Sequence, residues 1–379
     1  MEMEVPRRYW RYLDWPLILA VAALIAIGFV VIYSASYSQL TQAGISPFYY
    51  VTRQFLGLVL GLAAVVVIIS IDYRAWKRWT RLIYIASIGM LGLLLVMGTT
   101  VFGSQRWFRI GPMSIQPSEL AKLALVLVLA KHLEGREQLE GWNIWRAFAL
   151  AAVPAGLIIL QPDLGTAAIF AGLAFAMLFF AGADLRKLGL CAAVLAVAAM
   201  AAIYVSWKGW IPIIKPYQLS RLLVFLDPYA DRNNAGWNII QSMIAIGSGG
   251  FAGKGIFSGT QSRLHFLPAN HTDFVFSVIA EEFGFIGTLV VLVLYAVVIW
   301  RGLRIAMLAK DMYGLLLAAG AVSIFFFHLI INVGMTLGMM PITGLPLPFI
   351  TAGGSTLLTS LMAIGIILNV GLRRQKIMF

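Results

Sequence analysis

The sequence is short of charge, of cysteine and of nucleotide signatures. Charged residues make up 12% of its 379 positions, against about 25% in soluble domains. A soluble globular fold is thereby excluded. The single cysteine, Cys191, cannot close a disulfide within the chain. Acids are scarcer than bases, 16 against 28, which leaves a net charge of +12. Such a surplus suits nucleic acid, but the bases cluster in short loops between apolar segments, so no nucleic-acid partner is expected. The glycine-rich stretch Gly247–Gly255 lacks the GxxxxGK-S/T spacing of a phosphate loop. It reads as loop turns, with a backbone nest for a diphosphate as the alternative, and no nucleotide cofactor is expected.

What fills the chain is apolar, 61% of it. A spanning helix needs about 20 mostly apolar residues. Ten such runs occur, at approximately 15–37, 53–71, 82–101, 118–134, 146–160, 165–181, 188–206, 272–300, 314–337 and 354–371. The expected fold is an all-α polytopic membrane protein of about ten transmembrane helices, one integral-membrane domain over 1–379. Ser34-Ala35-Ser36 weakly resembles a signal-peptidase site, but the run before it is long for a signal segment and more helices follow. It reads as a retained first helix. No internal repeat is visible.

Basic residues orient the helices. Arg7, Arg8 and Arg11; Arg74, Lys77, Arg78 and Arg81; Lys131, Arg136 and Arg146; Arg186 and Lys187; Arg301, Arg304 and Lys310; and Arg373, Arg374 and Lys376 fall on alternate loops, 18 of the 28 bases. Those loops, and both termini, are expected to be cytoplasmic. The large loop of about 207–271, between helices 7 and 8, then lies outside with 102–117 and 338–353. Its Trp207, Trp210 and Trp237 and the cluster Leu222–Leu226 suggest short helices at the membrane interface.

Polar residues stand out against this background. Asp273 opens the eighth run, where a carboxylate in hydrocarbon costs roughly 2.5–3.5 kcal/mol. It is either a helix-start residue favoured by the dipole or a general base at the water boundary. His271 is a second candidate for titration there. On an ideal helix Glu281 sits about 80° around from Asp273 and roughly 12 Å deeper, while Glu282 points almost opposite. Both read as paired to donors from another helix, with proton relay as the alternative. Glu119 and Lys122, spaced i, i+3, can pair on one helix face, or Lys122 can meet a lipid phosphate. Arg106 and Arg109 are either interface anchors or a diphosphate clamp. Arg53 is a further outer cation that the positive-inside pattern leaves unexplained. Gln161–Thr166 is a turn. The proline-rich Asn332–Ser355 segment reads as a re-entrant cavity wall.

Together, in order and over nearly the whole chain, Gln105-Arg106-Trp107, Gln116-Pro117-Ser118-Glu119, Gln161–Thr166, His271-Thr272-Asp273-Phe274 and Asn332–Ser355 resemble the SEDS family (RodA/FtsW/SpoVE). The N-terminus and loop lengths are more similar to the RodA branch. Thr351-Ala352-Gly353-Gly354 departs from the family's usual residues. The resemblance implies a peptidoglycan glycosyltransferase acting on lipid II at the outer face of the bacterial cytoplasmic membrane during elongation. It also implies a class B penicillin-binding protein as transpeptidase partner, and a divalent cation, Mg2+ or Mn2+, for which no ligand cluster is visible. By position Asp273 matches the family's essential aspartate, and Trp107, Glu119 and Lys122 match residues implicated in activity. An α-linked donor giving a β linkage needs one inverting displacement, hence one base and leaving-group stabilisation rather than a retaining pair of carboxylates. Asp273 is assigned as base, and Lys122 and Arg106, then Arg53 and Arg221, as cations for the diphosphate. A lipid II flippase is the alternative, though it calls for wet polar groups on the cytoplasmic half as well. An ion-coupled transporter predicts inverted repeats, and a scaffold leaves the embedded carboxylates without purpose.

Overall fold

The computed structural model describes residues 13–97, 99–101, 104–110, 113–135, 141–210, 214–231, 235–264 and 266–374. The basic residues Arg7, Arg8, Arg11, Arg136, Arg232 and Lys376 lie outside the described residues. Helices form where the apolar runs predict them: α1 (Trp15–Gln42), α2 (Tyr49–Ser70), α3 (Thr80–Met97), α4 (Pro117–Leu133), α5 (Gly141–Leu160), α6 (Leu164–Phe180) and α7 (Leu185–Trp207). Between α7 and the next long helix come α8 (Pro216–Leu226), α9 (Ala235–Ser248) and the short α10 (Thr260–Arg263), followed by α11 (Val275–Met307), α12 (Met312–Thr336) and α13 (Gly354–Leu372). Among the described residues, seven helices are long and apolar enough to cross a membrane: α1, α2, α5, α7, α11, α12 and α13. The shorter α3, α4 and α6 occupy the other three expected positions.

The chain is not purely helical. Between α3 and α4 run three antiparallel strands, β1 (Thr99–Val101), β2 (Ser104–Ile110) and β3 (Met113–Ile115). Phe108 pairs with Ile115 and Ile110 with Met113, so β2 and β3 form a tight hairpin. The third apolar run, expected to reach 101, ends at Met97 because the β-branched Thr99, Thr100 and Val101 join this sheet.

α11 departs from expectation at both ends and in the middle. Its first turn is at Val275, not 272. Ala269, at φ 53°, instead starts a turn whose carbonyl accepts from Thr272 N and Phe274 N. The helix breaks at Gly284 (φ 65°, ψ −160°), a region essentially restricted to glycine. The glycine-rich turn fills the break. Lys254 N and Gly255 N donate to the Glu281 and Glu282 carbonyls at 3.0 Å each, and Phe285 N donates to Gly250 O at 2.9 Å. The turn therefore caps a broken helix rather than forming a free loop. α9 likewise docks on the bundle, because the buried Ser242 hydroxyl donates to Thr336 O at 2.7 Å. α8 exposes Leu226, at 76%.

Contacts sort the loops into two ends. At one, Asp14 takes a bidentate Arg301, Arg74 meets Asp311 at 2.9 Å, Lys77 pairs with Glu134, and Arg373 approaches Asp72 at 3.5 Å. These residues border the loops expected to be cytoplasmic. At the other end, Arg106 meets Asp163 and Tyr50 stacks near His271. One buried apolar cluster runs between the ends from Leu17 to Val370, and a smaller one, including Val224, Ile239 and Phe274, joins the outer helices to α11.

Candidate active site

Asp273 sits half-buried in the turn that leads into α11. Its backbone is tied down from α12, where Asn332 Nδ2 donates to Asp273 O at 3.0 Å and to Leu345 O at 2.7 Å. That pair of bonds holds the proline-rich segment against the turn. Gly344, at φ +68°, brings backbone beside the carboxylate, and a Cβ there would lie 3.1 Å from Asp273 Oδ2. Asn332 and Gly344 thus fix where the carboxylate can point.

Three other charges bear on it. Burial, the largest influence, raises the Asp273 carboxyl above its ordinary value. Arg221 on α8 and then Arg106 on β2 pull it down, and Asp163 pushes it up. Arg106 is held by the turn between α5 and α6, through Pro162 O and, at 3.3 Å, Asp163 Oδ2. Asp163 caps α6, accepting from Thr166 N at 3.0 Å. Tyr217 donates to Pro162 O at 2.8 Å, and Arg221, one turn along α8, lies 5.8 Å from the Tyr217 ring. Four segments distant in sequence thus converge: β2, the 161–163 turn, α8 and the Asp273 turn.

The other sequence candidates divide. Successive strand residues face opposite ways, so Trp107, half-buried, lies on the face of β2 opposite Arg106. The clamp expected of Arg109 lies outside the described side chains. Arg53 lies 4.2 Å from the Tyr49 ring, and Tyr50, three residues before it on α2, sets its ring 4.4 Å from His271. Burial pushes His271 down to about 4, so its imidazole is neutral near pH 7.

Lys122 pairs with Glu119, as their i, i+3 spacing allows. It is 1% exposed, with Nζ 2.8 Å from Glu119 Oε1 and 2.6 Å from His328 Nε2. His328 Nδ1 lies 2.8 Å from Pro346 O, and Thr359 donates to Glu119 Oε2 at 3.2 Å. Lys122 therefore braces the proline-rich segment from inside the bundle and offers no ammonium to a ligand in this conformation. Its long side chain makes the burial possible, because His328 and Glu119 wait along its path.

Sequence reasoning passed over Asp163, Tyr217, Asn332 and Gly344 as site residues. Asp163 carried a usable signal, an acid in a break between two apolar helices on the same side as Arg106. Tyr217 carried none. For a metal, the described residues hold no group of three His, Cys, Asp or Glu side chains. Asp273 and Asp163, flanked by arginines, do not form a dedicated cage.

A family model, FTSW_RODA_SPOVE (cell cycle protein), matches residues 15–376. The chain is 37% identical to peptidoglycan glycosyltransferase MrdB of Escherichia coli K12, over 97% of this chain and 95% of that one. It is 35% identical to stage V sporulation protein E of Bacillus subtilis, over 94% and 96%. A solved structure described as "Structural coordination of polymerization and crosslinking by a peptidoglycan synthase complex" superposes with a TM-score of 0.82 at 35% identity, covering 96% of this chain and 99% of that one. Matching in sequence from the first helix to the last and in fold throughout, the chain belongs to the FtsW/RodA/SpoVE family.

Proposed function

We propose that this chain is a peptidoglycan glycosyltransferase that polymerises lipid II at the outer face of the bacterial cytoplasmic membrane, in cell elongation. The observation that carries the reading is a half-buried carboxyl, Asp273, under the influence of two guanidinium groups, Arg221 and Arg106. Asp273 accepts the proton of the acceptor sugar's hydroxyl. That oxygen bonds to the anomeric carbon of the donor, and the bond from that carbon to the diphosphate breaks, with its electron pair leaving on the phosphate oxygen. The anomer inverts once. A carboxyl raised by burial is a better base than a solvated one, and a positioned base contributes about 10²–10⁴-fold.

Arg221 is the principal candidate to offset charge on the departing diphosphate, because Arg106 already serves Pro162 and Asp163. A divalent cation would have to arrive on the substrate's phosphates, with Asp273 and Asp163 as the nearest carboxylates. No step above depends on one. A class B penicillin-binding protein is the proposed transpeptidase partner, in keeping with the synthase complex whose structure resembles this chain.

Purified protein in detergent, given lipid II alone, tests the reading. Long glycan strands without a bilayer are the expected product. Lipid II movement across vesicles with no strands in detergent would favour the flippase.

A further inference from the structure

A cavity of about 420 Å3 opens at the outer end of α1, away from Asp273. Tyr33, Ser34, Tyr37, Phe257, Arg263 and Glu282 form most of its wall. Glu282 is 2% exposed. One of its oxygens takes the Ser34 hydroxyl at 2.6 Å, and the other finds no donor among the described residues. Its neighbour Glu281 likewise leaves one oxygen without a donor among the described residues, but the other takes a cation, Lys254 Nζ at 2.8 Å, with the backbone N–H groups of Thr260 and Gln261 at 2.7 and 3.0 Å. Glu282 has no cation among the described residues. A buried carboxylate without a positive partner is costly.

The surroundings of Glu282 suit one kind of partner. Tyr33 stacks on Phe48 at 5.1 Å, and Phe257 sets its ring edge-to-face against Tyr33 and Tyr37 at 5.7 Å each. Such rings attract a cation. Ser34 and Ser38 each accept one N–H already, from Phe257 N at 3.2 Å and Gln42 Nε2 at 3.3 Å, and each hydroxyl oxygen keeps a second lone pair for another. Arg263 is exposed at the rim, and no carboxylate pairs with it among the described residues. The order is anion deep, aromatic walls, cation at the mouth.

We propose that this cavity binds the headgroup of an aminophospholipid. The terminal primary ammonium passes along the ring-lined wall toward Glu282, and the phosphate rests on Arg263. A carboxylate torsion is broad and two-fold, so a small rotation presents the free oxygen. A choline headgroup has no N–H for Ser34, Ser38 or Glu282, and a glycerol headgroup brings no cation.

Nanodiscs of equal phosphatidylethanolamine, phosphatidylcholine and phosphatidylglycerol, followed by gentle release and native mass spectrometry, test this. Wild type should retain one phosphatidylethanolamine per chain, preferred about tenfold over the other two. Glu282→Gln keeps the shape and removes the charge, and should abolish the preference. Arg263→Ala is exposed, so its folding is not at risk, and it should lower phosphatidylethanolamine retention. Equal retention of the three lipids by wild type, preference for phosphatidylglycerol, or wild-type retention by both variants would overturn the proposal.

Discussion

Gly344 shows how closely a single position governs the site. Its φ of +68° suits glycine, and an added methyl would sit 3.1 Å from the Asp273 carboxylate. Gly344→Ala should cost about 1 kcal/mol of stability and displace the carboxylate, so lipid II turnover should fall more steeply than the melting temperature. Turnover unchanged would mean that this contact does not set the carboxylate's position. The raised Asp273 carboxyl makes a second claim at the same scale. The acid limb of the pH–rate profile should have its midpoint above the ordinary aspartate value of 3.8, with activity lost as pH falls through it because the base is then protonated. A flat profile through that limb would rule out its titration. The same cause, burial, gives His271 a stability effect. Between about 6.5 and about 4 its unfolded imidazole is charged while the folded one is not, so acidification through that window should lower the melting temperature, and less so in His271→Gln. Asp273 was legible in the sequence because an acid at the head of an apolar run has few explanations. Gly344 was not, because its role rests on a φ angle and on a neighbour 71 positions away in the chain.

Helix periodicity and length told where most elements lie, since apolar runs of spanning length have few alternatives. They could not tell where a helix breaks. The Gly284 break depends on backbone groups donated by the glycine-rich turn, about 30 positions earlier. A Cβ on Gly284 would lie 2.3 Å from Gly253 N, and one on Gly253 would lie 2.2 Å from Glu282 O. Gly284→Ala should therefore destabilise the protein by several kcal/mol, on the order of a strained backbone position plus lost hydrogen bonds. Thermal unfolding in detergent reads this directly, and a wild-type midpoint would show that the helix can run straight. The strands at 99–115 escaped for a related reason. They are three short stretches whose pairing, not their composition, makes them a sheet.

Charge sets the expected orientation, and ion pairs lie toward both ends of the bundle, Asp14 with Arg301 at one and Arg106 with Asp163 at the other. In the interior the Glu119–Lys122 pair was legible from its i, i+3 spacing, and the part played by His328 was not. Lys122, Glu119 and His328 come from α4 and α12 and close on α13 and the proline-rich segment through Thr359 and Pro346. Removing one member of a buried pair costs about 3–5 kcal/mol. Lys122→Met alone should lower stability by that order, and Lys122→Met with Glu119→Gln should recover part of it; no recovery would mean that the charges are not compensating each other. Activity should track folding in this series, because Lys122 acts from inside the bundle. Asp273 behaves differently, since its carboxylate is proposed to meet substrate. The most direct measurement is therefore glycan synthesis from purified lipid II by Asp273→Asn, with its melting temperature recorded alongside. A wild-type melting temperature with turnover down by about 10²-fold or more is expected, whereas strands made at the wild-type rate would contradict Asp273 as the base.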